Sequence, residues 1–533
     1  MLLFIGLQAQ TGLQDYNVTA FGALPDGITN NAVAIQLAID RAANNGGGRV
    51  VVPRGRFATG PIHLRSNIEF FIHEEAVLLG SIHILDYRVN GKILPLISCN
   101  GAHNVSINGK GLVDGQSDYL MADIFARLRA GTLQDPSWKE VGEWFKRRPG
   151  EQSRPRLIDF FKCENVAVKN IRIQNGTGWV QDYRKCNNVV IDSIDVFSNT
   201  YWNNDGIDIT DSRNVRITNC RVNSADDGIC LKSEDRDSRC ENVYIANCKI
   251  RSSANAVKLG TSSYGGFKNI TVRDIDVWDT YRSAIALETV DGGVLENVDV
   301  QNIKGSNTGN AVFIRLGHRN KDSLISKLRN VYIANIKVQV PKGKPDAGYP
   351  NEGPLLKYPP GYVKDPSSPY KSVSPWNHST IDTTAVLYPH NVFPSSITGL
   401  PGHEVENVTL ENISISYEGG GDPGINFFPV DSLHAITEAV ASYPEFSMFG
   451  ELPVWGLYVR HVRGLKLKNI SLELMGRDYR IGLLVDDVKG LKLDNISIPH
   501  FMAVPVVLLN NVQEPSIIGL KLPGNLKESL RVQ

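Results

Sequence analysis

The sequence predicts an all-β fold, a parallel β-helix, on three observations. A ten-residue phrase recurs, as in ENVAVKNIRI (164–173), RNVRITNCRV (213–222), ENVYIANCKI (241–250), RNVYIANIKV (329–338) and KGLKLDNISI (489–498). Its second residue is Asn165, Asn188, Asn214, Asn242, Asn269, Asn297 and Asn330, at intervals of 23, 26, 28, 27, 28 and 33 residues. Within each phrase apolar and polar residues alternate, a turn residue intervenes, and alternation resumes. That is two short strands around a bend. One such pair cannot bury its own apolar face, so successive turns must stack into a solenoid. A leucine-rich repeat would need a denser leucine pattern. The asparagines at the bends are expected to form ladders, each amide bonding its equivalent one coil away.

The elements follow in order. The start, MLLFIGLQAQ, is apolar and ends in Leu7-Gln8-Ala9. Residues 1–9 are read as a signal-peptide remnant cleaved after Ala9, since the usual basic segment ahead of it is missing. Residues 16–533 form one β-helix domain, with 16–80 as an N-terminal cap. There Asn31 is expected to cap a helix over 32–45 that ends at Gly46-Gly47-Gly48 and shields the open end of the core. Three insertions interrupt the repeat. Residues 115–156 hold a helix-like stretch with Trp138, Trp144, Arg147, Arg148, Arg154 and Arg156. Residues 339–403 are rich in Pro and Tyr, and 418–456 are Gly-rich, then helix-like. Long loops on a solenoid are usually functional.

Composition narrows the function. Over 533 residues, 56 basic side chains balance 56 acidic ones. No basic excess exists to hold nucleic acid or an anionic membrane. No apolar run approaches the roughly 18 residues of a membrane-spanning helix. Seven cysteines are too few for a disulfide scaffold, and none joins a histidine at metal-site spacing. Cys220 and Cys248 occupy the same place in consecutive repeats and are read as stacked buried thiols, one bridge remaining open.

The most informative segment is NNDGIDITDS (203–212) followed by SADDGICLKS (224–233). Asp205, Asp226 and Asp227 fall on adjacent coils near one bend. Crowded carboxylates repel, which raises at least one pKa. A raised carboxyl beside an ionised one is the acid–base pair that glycoside hydrolysis needs. Gly206 and Gly228 would turn the backbone and leave room for a sugar. Two other readings stay open: aspartates that merely suit solenoid turns, and a calcium site.

These residues resemble glycoside hydrolase family 28, the polygalacturonase-like enzymes. The resemblance runs through FGALPDG (21–27), GGGRVVVPRGRFATGPIHLRSNI (46–68), GLVDG (111–115), RPRLIDF (154–160), Trp179, NNDGID (203–208) and ADDG (225–228). It implies a right-handed parallel β-helix and inverting, single-displacement hydrolysis, with no cofactor and no metal. It implies Asp226 as general acid, and Asp205 and Asp227 as the groups that position and deprotonate water. Two departures stand out. The family's Gly-His-Gly is here Ala254-Asn255-Ala256. Its Arg-Ile-Lys, which grips a substrate carboxylate, is here Ala286-Leu287-Glu288. A cation pair has become a small apolar residue and an anion. Lys258, Lys232 or Arg282 could supply the charge from another angle, or Glu288 could pair with Lys258. Asn255, Lys258, Glu288, Lys232 and Arg282 are therefore the substrate-side candidates.

The expected protein is an exported, periplasmic or secreted, monomeric hydrolase of a pectin-type acidic glycan, acting from chain ends in the manner of a galacturonidase. The insertions at 115–156 and 339–403 would close the groove, with Trp138, Trp144 or the tyrosines of 349–370 stacking on a terminal sugar and Arg147, Arg148, Arg154 and Arg156 reading its carboxylate. A lyase or epimerase on the same scaffold, or a non-catalytic glycan-binding solenoid, are the alternatives.

Overall fold

The computed structural model describes residues 13–138, 149–353, 392–423, 427–499, 505–524 and 526–533. Among them, 31 strands join one continuous sheet that winds as a parallel β-helix. The recurring phrases lie in exact register. One inward column runs Val105, Val166, Val189, Val215, Val243, Ile270, Val298, Val331, Val408, Leu465 and Leu491. All eleven are buried. The core is thus a stack of branched aliphatics, each worth about 1.5–3 kcal/mol on burial.

The bends are built by asparagine because a short polar side chain tolerates the left-handed region. Asn165, Asn214, Asn242, Asn269, Asn297 and Asn330 all have φ between 55° and 58°. Their amides ladder as expected: Asn242 donates to Asn214, Asn269 to Asn242, Asn297 to Asn269 and Asn330 to Asn297, at 3.0–3.2 Å. All seven cysteines are buried free thiols, so the open bridge between Cys220 and Cys248 is not formed.

The cap holds the helix Ala32–Asn44, which buries Ile35, Ala38, Ile39 and Ala42 over the core. Asn31 does not cap it by its side chain. Its amide instead donates to the Leu24, Thr29 and Ala58 carbonyls, stitching the preceding loop to the first coil. Asn30 Oδ1 accepts from the Ala32 amide in its place.

The insertions differ from one another. Residues 115–156 carry the helix Ser117–Arg129. The stretch 339–403 is not wholly an excursion, because Ser395–Thr398 is a solenoid strand between Phe313–Arg315 and Leu457–Arg460. The expected helix in 418–456 is absent among the described residues, which hold only the short 3₁₀ turn Leu433–Ala435. Leu433, Ile436, Ala439, Phe446, Met448 and Phe449 instead lie against an apolar strip of the solenoid's outer face formed by Ala286, Phe313 and Tyr458. Packing onto that strip satisfies the apolar spacing that resembled a helix.

Candidate active site

One outward column of the sheet explains where the site forms. It runs Asp159, Asp182, Asp208, Cys230, Lys258, Ala286 and Phe313. It is acidic in its first coils, cationic at Lys258 and apolar beyond. The three expected aspartates stand at the bend beside its middle, and the structure brings them together. Oxygens of Asp205 and Asp227 and the sulfur of Cys230 lie within 4.8 Å of one another. Asp226 precedes Asp227 in the chain and accepts from the Asp227 amide at 3.0 Å.

The loop that presents Asp205 is locked by Asn204, whose amide donates to the Gly176 and Gly178 carbonyls at 2.8 Å and whose oxygen accepts from the Tyr201 amide. Gly206 and Gly228 do not make space for a ligand. A Cβ on Gly206 would meet Val222 at 2.4 Å and the Gly228 carbonyl at 2.6 Å, and one on Gly228 would meet Ile250 at 2.4 Å. They are glycines because neighbouring coils approach too closely for any side chain.

Each acid has a distinct environment. Asp227 is buried; its Oδ1 accepts from the Asn255 backbone at 3.0 Å and side chain at 2.9 Å, and its Oδ2 faces Lys258 Nζ at 3.0 Å. Burial alone would raise its carboxyl, but Lys258, Lys232, Arg282 and the Asn255 amide hold it at about 2. Asp226 is half-buried and has weaker support: besides the Asp227 backbone amide, one side-chain hydrogen bond, from Asn203 at 3.3 Å. Burial and the neighbouring Asp227 charge push it up. Asn203 is itself gripped by Arg154 at 2.9 Å, so Arg154 positions the acid. Asp205 and Asp208 share a single lysine, with Lys232 Nζ at 2.9 and 3.0 Å. Burial and like charge push Asp205 well up and Asp208 to about 6, because one ammonium cannot neutralise two dry carboxyls.

The five substrate-side candidates all lie in this cluster, but each turns toward a protein partner. Asn255 clamps Asp227. Lys232 serves Asp205 and Asp208 and stands 4.4 Å over the Trp179 ring. Lys258 serves Asp227, has Glu288 at 3.9 Å and donates to Tyr443 Oη at 3.1 Å. Burial pushes Glu288 up to about 7, with Asp227 adding to that and Lys258 opposing it. Arg282 pairs with Glu445 at 3.3 Å. Of the alternatives open in the sequence, the pairing of Glu288 with Lys258 is the one formed. Where a calcium ion would stand among Asp205, Asp227 and Cys230, the ammonium groups of Lys232 and Lys258 already supply the positive charge, Lys232 being 3.1 Å from the Cys230 sulfur.

Parts of the insertions pack beside the site. Ser117 Oγ lies 2.6 Å from Thr200 Oγ1, and Phe125 packs on Tyr201, just before the Asp205 loop. Trp138 packs on Phe125 at 5.5 Å and braces the helix. Tyr349 is bonded to Asp279 at 2.6 Å and covers Arg251. Arg156 is held by Asp159 and Asp182. Trp144, Arg147, Arg148 and the later tyrosines of 349–370 lie outside the described residues. Sequence reading missed Tyr443 and Glu445, which 418–456 delivers to Lys258 and Arg282.

The profile of glycosyl hydrolases family 28 matches residues 44–347, and a rhamnogalacturonase A/epimerase, pectate lyase-like profile matches 16–71. The chain belongs to family 28. A probable polygalacturonase of Vitis vinifera is 26% identical over 310 residues, 56% of each chain, so the match spans about half of that relative. An exo-poly-alpha-D-galacturonosidase of Dickeya chrysanthemi is 23% identical over 451 residues, 74% of this chain and 71% of its own. The crystal structure of a hyperthermoactive exopolygalacturonase from Thermotoga maritima superposes with a TM-score of 0.54 at 23% identity, covering 76% of this chain and 87% of that one.

Proposed function

We propose that the protein is an exported, inverting hydrolase of a pectin-type glycan that acts from chain ends. The observation that carries the mechanism is the split between two adjacent carboxyls: Asp227 held ionised at about 2, and Asp226 pushed up and half-exposed. Asp226 donates its proton to the glycosidic oxygen as the bond to the anomeric carbon breaks. Asp227 takes a proton from the attacking water, which Asp205 orients from the other side. The relatives that act on polygalacturonate support the substrate class. A polymer of that size does not enter cells, which supports export.

Chain-end action is supported by the covering of the outer face just past Lys258. There Leu433, Ile436 and Phe446 lie on the strip that an open groove would leave bare. A lyase or epimerase would need a free base at the sugar. Burial alone would lower Lys232 and Lys258, but their carboxylate partners hold both well above the ordinary lysine value, so they stay protonated. Proton NMR of the first-formed product tests the mechanism: the inverted anomer is expected, and retention would refute the assignment of Asp205 and Asp227. Early products from a long polymer test the mode. Short terminal units with little loss of viscosity are expected, and a ladder of mid-length oligomers would sink chain-end action.

A further inference from the structure

Among the described residues the site has no positive charge to spare. Four cations reach it, and each already has an anion: Lys232 has Asp205 and Asp208, Lys258 has Asp227 and Glu288, Arg282 has Glu445, and Arg156, close to Asp208, has Asp159 and Asp182. With Asp226, eight carboxyl groups thus surround four cations. Protonating Asp226 as the acid, and letting Asp205 and Asp208 share one proton, still leaves at least as many anions as cations. A free uronate brought here would add a negative charge to a dry, already neutralised or acidic cluster. Displacing a resident carboxylate to make room for it would leave that group buried and unpaired.

The neighbouring surface points the same way. Ala286, where the resemblance places a carboxylate-gripping arginine, is fully buried in the apolar strip beside Phe313 and Phe446. What faces the open side next to Lys258 is Tyr443, 40% exposed, which offers a ring face and a hydroxyl but no charge.

Resting on the glycan reading above, we infer that the sugar unit bound beside Lys258 and Tyr443 at the scissile linkage is uncharged, either a methyl-esterified uronate or a neutral sugar. The two sources share one chemistry: a C5 substituent with no ionised carboxylate. Like charges brought together across a buried contact repel strongly. The discrimination against a free acid should therefore be at least about 100-fold in kcat/KM.

The test compares three defined oligosaccharides on the full-length protein: trigalacturonate, its methyl ester, and a galacturonate-containing trisaccharide with a neutral unit at the same place. Turnover is followed by reducing-sugar release. Binding of each to Asp226→Asn is followed by calorimetry, so that preference is read even where turnover is slow. Preference for the ester or the neutral unit by about 100-fold supports the inference, and the better arm names the source. Glu288→Gln should narrow the ratio by raising turnover of the free acid. Equal or better use of trigalacturonate overturns the inference and leaves the hydrolase reading standing. Neither turnover nor binding of any of the three overturns the pectin-type reading, and the inference with it.

Discussion

Lys258→Met would keep the length and apolar stem of the side chain and remove its charge. The ammonium lies 3.0 Å from Asp227 Oδ2. At an effective dielectric of about 20, Coulomb's law gives roughly 5 kcal/mol of attraction at that distance. The net effect is smaller, because burial opposes it. The fall of Asp227 from 3.8 to about 2 amounts to about 2 kcal/mol in favour of the charged form, and Lys258 is the first of the groups that produce it. Without Lys258, burial regains the upper hand, and the Asp227 carboxyl should climb by at least about one unit. Its depressed pKa means that its contribution to stability is present above the unfolded value of 3.8 and is lost as pH falls toward 2; in the variant the folded value moves back toward 3.8 and that contribution shrinks. The acidic limb of kcat/KM should move up correspondingly, and breaking a buried pair should cost about 3–5 kcal/mol of stability. A pH–rate profile from about 2 to 8 beside a denaturant titration measures both. An unmoved acidic limb in a folded Lys258→Met protein would refute the idea that this lysine keeps Asp227 ionised.

Three further outcomes are expected. Asp226→Asn should lower kcat by ~10²–10⁴ on natural glycosides and far less on activated aryl glycosides, whose leaving groups need no proton; equal loss on both would remove Asp226 from the acid role. Ile245→Ala should destabilise by about 2–5 kcal/mol, because Ile245 is fully buried between Ile217 and Val272 and the rigid coils on either side cannot collapse into the space; a cost under 1 kcal/mol in a denaturant titration would contradict that packing. His461, with Asp487 at 2.6 Å, Glu438 at 3.1 Å and Arg460 beside it, ties the 418–456 insertion to the solenoid. Burial alone would lower it, but its two carboxylate partners hold it above 6.5, so its contribution is full below 6.5 and lost as pH rises through the folded value. Protease protection of residues 427–453 should therefore decline at alkaline pH in the wild type and stay flat in His461→Gln; parallel curves would refute the clasp.

What could be read from the sequence follows from how a solenoid distributes its contacts. Coil-to-coil neighbours are separated by one repeat, so Val215 on Val243, or Asn242 on Asn214, is implied once the period is known. The same period, applied to the outward positions, would also have placed Asp182, Asp208, Cys230 and Lys258 in one column. That register needs only the repeat length and the alternation of inward and outward positions. The glycines misled for a related reason. Gly206 and Gly228 look like turn residues in a list, but their role is set by Val222 and Ile250 on the neighbouring coil. Asn31 matched a helix cap by position, yet the loop carbonyls offered its amide three acceptors, and they won.

Tyr443 obeys no period. It lies 185 residues from Lys258 in the chain and reaches it through an insertion whose path is fixed by apolar anchors. A signal for that path did exist: Leu433, Ile436, Phe446, Met448 and Phe449 are too apolar for a loop left in water, and the strip Ala286–Phe313–Tyr458 receives them. Ala286 and this insertion belong to one packing unit. An arginine at 286 would have charged the strip and repelled the cover. With alanine the strip is apolar, the cover binds, and Glu445 arrives to occupy Arg282. The cover that packs on Ala286 thus also brings the anion that pairs with Arg282, so the charge balance of the site depends on what covers it as much as on the coils that carry its acids.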